Sequence, residues 1–180
     1  VRLTRLLDDL LDLSVLENGT VQLNLGLANL GQMIDHALAA AGQTRPERFF
    51  DIKRDFAAEE IFLRTDADRL VQVFINLISN ARKYCDAAQP VLKIAVRQKG
   101  GRVVVDFIDN GTGIAKDAQG LIFEKFARLT DQTRAGGAGL GLAICREVMA
   151  NLGGTVSYLP GQRGAAFRVT VPLRLEKQAA

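Results

Sequence analysis

The stretch Asp66 to Cys85, DADRLVQVFINLISNARKYC, limits what this chain can become more than any other. Leu70, Val73, Phe74, Leu77, Ile78 and Ala81 recur at three- and four-residue intervals, the period of a helical stripe buried against a core. Asp66 offers an N-cap oxygen at its start. Asn76, Asn80, Lys83 and Tyr84 also sit three or four apart and share a neighbouring face. A helix normally fills its outer face with solvated charge. This one presents two carboxamides, an ammonium and a phenol, an array suited to a metal-chelated phosphate and a flat ring.

The 180 residues around that helix, 48% of them hydrophobic, suffice for one domain with a sizeable core. The formal charge of +3 is mild, its Lys and Arg are dispersed along the chain, and no basic tract is interleaved with aromatics. No nucleic-acid partner is expected. Cys85 and Cys145 have neither disulfide nor metal-ligand spacing, which points to a reducing compartment. No apolar run reaches the length of a membrane span, and Asp8, Asp9 and Asp12 interrupt any signal peptide. The expectation is a soluble chain without membrane contact.

In chain order, Leu3, Leu6, Leu10 and Leu13 set a seam with Leu7, Leu11 and Leu16 alongside, as in a coiled coil or helix bundle. Beginning inside that pattern suggests a piece cut from something longer. Asn18-Gly19 ends the helix. Val21, Leu23 and Leu25 alternate as a short strand, and Leu27 to Ala41 has helical spacing with Asn29 a candidate cap. The sole histidine, His36, has no acidic partner to activate it and reads as an ordinary helix residue. Strands are expected at Phe49 to Asp55 and Ile61 to Leu63. Val91 to Gln98 and Val103 to Ile108 make a hairpin around Lys99-Gly100-Gly101-Arg102. A Gly-rich stretch from Asp109 to Gly141 carries one apolar piece, LIFEKFARL. A last helix runs from Leu140 to Leu152, followed by strands at Thr155 to Leu159 and Ala165 to Leu173 and a frayed tail from Arg174. Irregular interleaving with late hairpins argues an α+β, two-layer α/β sandwich: a mixed sheet with helices on one face.

Two glycine clusters carry the chemistry. DNGTGI at 109–114 leaves a strand, and Gly111 and Gly113 permit positive φ and close approach of a ligand. Asp109 at the strand end can accept a hydrogen bond from a ligand's amino group, as adenine would supply. Guanine would present a carbonyl there and leave two acceptors facing. The alternative is a tight turn capped by Asp with no ligand. GGAGLGLAI at 136–144 opens the last helix with uncovered backbone amides, where an anion is stabilised. It matches neither a P-loop nor a dinucleotide fingerprint, and such a cluster alone more often marks a flexible hinge. Lys116, Lys125, Arg128 and Arg134 lie between the clusters as surface charge or as lid cations that neutralise phosphate. Phe123 and Phe126 would anchor such a lid.

The order of these pieces closely resembles the ATP-binding catalytic domain of sensor histidine kinases of two-component systems. That family lies within the superfamily shared with gyrase, Hsp90 and MutL. NLISNARKY resembles the N box, DNGTGI the G1 box, FEKF the F box and GAGLGLAI the G2 box. LLDDLLDLSVLENG resembles the end of the second helix of the family's dimerisation and histidine-phosphotransfer domain. The resemblance implies three parts: residues 1–18 from that helix, 19–174 as the catalytic domain and 175–180 as a tail. The phosphoacceptor histidine would lie on a preceding helix, and His36 is no substitute.

The resemblance also assigns roles. Asn80 would ligate Mg²⁺ and Asn76 help hold the phosphates of ATP. Lys83 would contact phosphate, Tyr84 lie against adenine and Asp109 read its amine. Gly111, Gly113 and Ile114 would shape the adenine pocket. Phe126, Arg128 and Arg134 would belong to the lid. Gly137, Gly139, Leu140 and Gly141 would cradle the triphosphate. The implied reaction is in-line γ-phosphoryl transfer to a histidine, by Asn76, Asn80, Lys83 and Arg128 acting through position and charge. Hsp90, gyrase and MutL place a water-activating glutamate one turn before the Mg²⁺ asparagine. That position here is Asn76, so a water-hydrolysing ATPase is disfavoured. An ATP-silent adaptor of the same fold is disfavoured because the Asn, Asp and glycines are all present. Implied partners are a dimerisation domain and a response regulator, in a homodimeric parent whose catalytic part is cytoplasmic, whether or not that parent is membrane-anchored.

Overall fold

The computed structural model describes residues 11, 13–17, 22–42, 50–124 and 141–176. Strand β1 (Gly26–Asn29) leads into helix α1 (Leu30–Ala41). Then come β2 (Asp51–Arg54), a 3₁₀ turn (Phe56–Glu60), β3 (Phe62–Thr65) and helix α2 (Ala67–Tyr84). The hairpin β4 (Val91–Lys99) and β5 (Arg102–Asp109) follows, then helix α3 (Gly141–Asn151), β6 (Thr155–Tyr158) and β7 (Ala166–Pro172).

Five strands form one sheet in the order β2-β4-β5-β7-β6, with β2 parallel to β4 and the other neighbours antiparallel. Alternation does the sorting. Leu92, Ile94 and Val96 of β4 and Val103, Val105 and Phe107 of β5 join the core with Leu70, Val73, Phe74, Leu77 and Ile78 of α2 and with Ile144, Val148 and Met149 of α3. The rings of Phe74 and Phe107 lie 5.4 Å apart where helix meets sheet. The helices therefore cover one face of a mixed sheet, as the α+β reading expects.

Helix α2 begins where Asp66 holds it. Its Oδ1 accepts from the Arg69 amide at 3.2 Å, and its Oδ2 accepts from the Asn24 amide at 2.9 Å. A cap of this kind is worth about 1 kcal/mol. Asn29 caps α1 as expected, accepting from the Gln32 amide at 3.0 Å.

Three local readings need correction. Among the described residues the first strand is Gly26–Asn29, paired antiparallel with β3 in a separate two-stranded sheet, and Leu23 and Leu25 of the expected strand lie outside it, while Val21 is outside the described residues. That partner is only four residues long, bounded by the 3₁₀ turn and the Asp66 cap, so Leu23 and Leu25 pack on the core without a ladder. The 3₁₀ turn at Phe56–Glu60 was not foreseen; Asp55 caps it by accepting from the Ala57 amide. Arg174 and Leu175 do not fray, because Leu175 is buried and its amide donates to the Arg64 carbonyl at 2.8 Å. Of the leucine seam, residues 13–17 are helical, with Leu13 and Leu16 buried; Leu3, Leu6, Leu7, Leu10 and the Asn18-Gly19 cap lie outside the described residues. The carboxamide of Asn151 on α3 reaches the Leu16 carbonyl at 3.4 Å.

Candidate functional site

Strand β5 ends at Asp109, whose alternation with Val103, Val105 and Phe107 turns it toward the helix layer. Its side chain is buried. Oδ1 accepts two backbone amides, Gly111 at 2.9 Å and Ala165 at 3.1 Å. Among the described residues nothing donates to Oδ2. Burial raises the Asp109 pKa above its usual 3.8; the two amide bonds oppose the rise and the neighbouring Asp86 adds to it. Among the described residues the carboxylate is half-satisfied, with one oxygen fixed by the protein and one left for a donor.

Close backbone approach makes this geometry possible. A Cβ on Gly164 would lie 2.1 Å from the Asp109 carbonyl oxygen and 2.6 Å from Oδ1. Gly113 adopts φ +81°, where L side chains are strained. Two side-chain clasps then tie the turn to the end of α2. Asp86 accepts from the Thr112 amide and hydroxyl at 2.9 and 3.0 Å. Asn110 accepts from the Val91 amide at 2.8 Å and donates to the Gln89 carbonyl at 2.9 Å, with the Cys85 thiol 3.4 Å from its Oδ1. The residues after Tyr84 are thereby held against the DNGTGI turn.

A third clasp comes from β6. The Tyr158 hydroxyl accepts from the Ile114 amide at 3.2 Å, its ring stacks edge-on against Phe167 at 5.5 Å, and Phe123 stacks edge-on against Phe167 at 6.2 Å. Tyr158→Phe keeps the stack and frees one amide. Hydrogen exchange at Ile114 should accelerate at least about fivefold, the effect of one net hydrogen bond near 1 kcal/mol, while the β5 amides keep their wild-type rates. An unchanged Ile114 rate would show that the hydroxyl holds nothing.

On α2, Asn76 and Asn80 are half-buried, and Lys83 and Tyr84 are exposed. Asn76 faces α3. Its Oδ1 lies 3.9 Å from where a Gly141 Cβ would sit, and its carboxamide lies beside the buried Cys145 thiol, which donates to the Val73 carbonyl at 4.0 Å. Burial pushes that thiol up to about 12, with the Asn76 carboxamide acting the other way. Asn76 is therefore partly committed to the seam between helices, whereas the Asn80 side chain has no hydrogen-bond partner among the described residues. Ile114 is half-buried and Lys116 exposed. Lys125, Phe126, Arg128, Arg134, Gly136, Gly137, Gly139 and Leu140 lie outside the described residues.

Asp86, Asn110, Tyr158 and Gly164 went unnoticed in the sequence, and each acts through a partner far along the chain. No His, Cys, Asp or Glu triad that could hold a metal ion occurs among the described residues, and none of their helices is long and apolar enough to cross a membrane.

The family described as "Histidine kinase-, DNA gyrase B-, and HSP90-like ATPase" matches residues 65–175. Sensor protein KdpD of Escherichia coli (strain K12) is 33% identical over 170 residues, which cover 94% of this chain and 19% of KdpD. Sensor protein kinase WalK of Staphylococcus haemolyticus (strain JCSC1435) is 33% identical over 183 residues, 95% of this chain and 28% of WalK. The chain thus spans only 19% to 28% of the length of these relatives. Among solved structures, Acinetobacter baumannii histidine kinase AdeS aligns with TM-score 0.76 and 26% identity, over 95% of this chain and 78% of that one. Full-length ShkA in complex with AMPPNP aligns with TM-score 0.80 and 28% identity, over 99% of this chain and 36% of that one.

Proposed function

Because this chain belongs to the family of histidine kinase-, DNA gyrase B- and HSP90-like ATPases, we propose that it is the ATP-binding catalytic domain of a sensor histidine kinase. It would transfer the γ-phosphoryl of ATP to a histidine on a dimerisation domain, for relay to a response regulator. The observation that carries this reading is Asp109, a buried carboxylate with Oδ1 saturated by two protein amides and Oδ2 unclaimed among the described residues. An exocyclic amine is the donor such an oxygen suits. The ligand AMPPNP in the related ShkA is of the same class.

Position and charge are what the chain contributes. Asp109 fixes the base, Gly113 and Ile114 define its pocket, and Tyr84 at the exposed end of α2 supplies a ring face. Lys83 supplies positive charge to phosphate. Arg128 and Arg134 would add theirs from the lid, with Phe126 anchoring it, and Gly137, Gly139, Leu140 and Gly141 would cradle the triphosphate at the head of α3. Mg²⁺ fits this donor set as an ion carried by the nucleotide. Asn80 offers one neutral oxygen and the described residues hold no carboxylate cluster. When bound it would neutralise phosphate charge. Asn76 is an amide and cannot take a proton from water, which favours transfer over hydrolysis.

On this reading residues 1–18 are the end of the second helix of a dimerisation and phosphotransfer domain, and the catalytic domain runs from residue 19 through the buried Leu175. The parent is a homodimer with this part in the cytoplasm. His36 is exposed on α1 and receives no phosphate. With γ-labelled ATP and Mg²⁺, the chain alone should form no acid-labile phosphohistidine, and a separately supplied dimerisation domain should be labelled. Label on His36, or rapid phosphate release with the acceptor unlabelled, would overturn the assignment.

A further inference from the structure

The sheet has a second face that no element covers among the described residues. Val103, Val105 and Phe107 point to the helices, so the alternate residues Arg102, Val104, Asp106 and Ile108 point away. The register carries this across the sheet. Lys93 pairs with Ile108, Arg97 with Val104, Lys99 with Arg102, and Arg168 with Asp106. Lys53, opposite Lys93, joins them from β2.

This face therefore gathers six basic side chains, Lys53, Lys93, Arg97, Lys99, Arg102 and Arg168. Against them stand Asp51 and Asp106, which form ion pairs with Lys53 and Arg168. Its net charge is +4, whereas the whole chain carries +3. The remainder of the molecule is slightly acidic, and the chain's entire basic excess sits on one side. Lys93, Arg97 and Lys99 are exposed and have no acidic partner among the described residues.

We propose that this face docks reversibly on an anionic lipid surface. Three observations choose that occupant over other polyanions. None of the exposed large apolar side chains lies on it: Leu11, Val15, Leu27, Phe62, Tyr84 and Leu121 are all elsewhere. A protein interface centres on aromatic and apolar anchors packed into pockets as well as on arginines, and this face offers only the arginines. It carries no aromatic ring on which a nucleic-acid base could stack. Of the two large apolar residues that β5 gives this face, Ile108 is half-buried and Val104 is already buried although it lies outside the core, a position the aliphatic stems of long basic neighbours can cover. What remains is positive charge spread over an exposed strand surface, suited to a layer of phosphate headgroups. The nucleotide site faces the helix layer, so docking by the opposite face leaves it open. The expectation of no membrane contact rests on the lack of an apolar span and of a signal peptide, and docking by charge needs neither; basic residues dispersed along the sequence are gathered by the sheet register.

Co-sedimentation of the full chain with phosphatidylcholine vesicles, with and without phosphatidylglycerol, tests this. Binding should require phosphatidylglycerol and weaken as salt rises. Each basic residue near such a surface contributes about fivefold, so Lys93→Glu/Arg97→Glu should bind at least about tenfold more weakly. The milder Lys93→Gln/Arg97→Gln should fall between, with thermal melting and ATP affinity unchanged in both. Four outcomes would overturn the proposal: no sedimentation with phosphatidylglycerol; equal sedimentation of the charge-reversed chain; displacement by millimolar inorganic phosphate, which would mean a discrete anion site; or equally tight binding of duplex DNA or polyglutamate at the same salt.

Discussion

The Asp109→Asn variant is expected to bind ATP about a hundredfold more weakly than the wild type, because a hydrogen bond to a charged group is worth ~1.5–3 kcal/mol and each 1.4 kcal/mol is a factor of ten. The geometry makes the outcome sharper than the loss of a charge. Two backbone amides, Gly111 and Ala165, donate to Oδ1 and require an acceptor oxygen there. The carboxamide must keep its oxygen in that place and present its NH₂ where Oδ2 stood. Adenine's amine then meets a donor. A purine with a carbonyl at that carbon, as in inosine triphosphate, meets a complementary group. Calorimetry should show ATP affinity falling and the ratio of inosine triphosphate to ATP affinity rising. Unchanged ATP affinity would sink the adenine assignment.

The ionisation of Asp109 gives the same test a pH axis. Burial raises its folded-state pKa above 3.8, so between that value and the raised one the free protein holds a proton that the unfolded chain has lost. Ionising the carboxylate in the fold costs stability above the raised pKa, and this cost is relieved as pH falls through it. A ligand amine favours the ionised form. ATP affinity should therefore weaken as pH falls through the raised pKa, and binding within that window should release protons.

What the sequence made legible was local. The α2 stripe, its Asp66 cap, the Asn29 cap and the Gly100-Gly101 hairpin turn depend on residues a few positions apart, and all appear as expected. The DNGTGI turn was legible for the same reason. What completes that turn was not. Ala165, which donates to Asp109, is 56 residues away, and no periodicity announces a contact of that kind. Tyr158 reads as one more strand residue and Asp86 as a polar residue after a helix. Strand β1 was misplaced because alternation alone ignores whether a partner strand is long enough. The basic sheet face was hidden by the same logic: Lys93, Arg97 and Arg168 look scattered until the register sets them side by side.

Gly164 shows how much rests on one such unannounced contact. In the sequence it is a glycine in an ordinary loop between hairpin strands. In the fold its missing Cβ is what lets the chain before β7 lie against the end of β5, since that atom would fall 2.1 Å from the Asp109 carbonyl oxygen, 2.7 Å from its carbon and 2.6 Å from Oδ1. These are backbone atoms and a fixed carboxylate, not the tip of a flexible side chain, so the strands themselves must part. Gly164→Ala should destabilise the protein by about 3 kcal/mol, as overpacking a filled site does, lowering Tm by about 10 °C in a chain of this size. Parting the strands also moves the Ala165 amide from Oδ1. ATP affinity measured well below the melting transition should then fall by at least about tenfold, the effect of one bond to a charged group. Gly120→Ala is the control: nothing lies within 4 Å of its added methyl, so Tm and affinity should stay at wild-type values. A Gly164→Ala protein that melts and binds like the control would mean that the backbone at this corner yields, and that the oxygen Asp109 offers to the base is not held by the approach described.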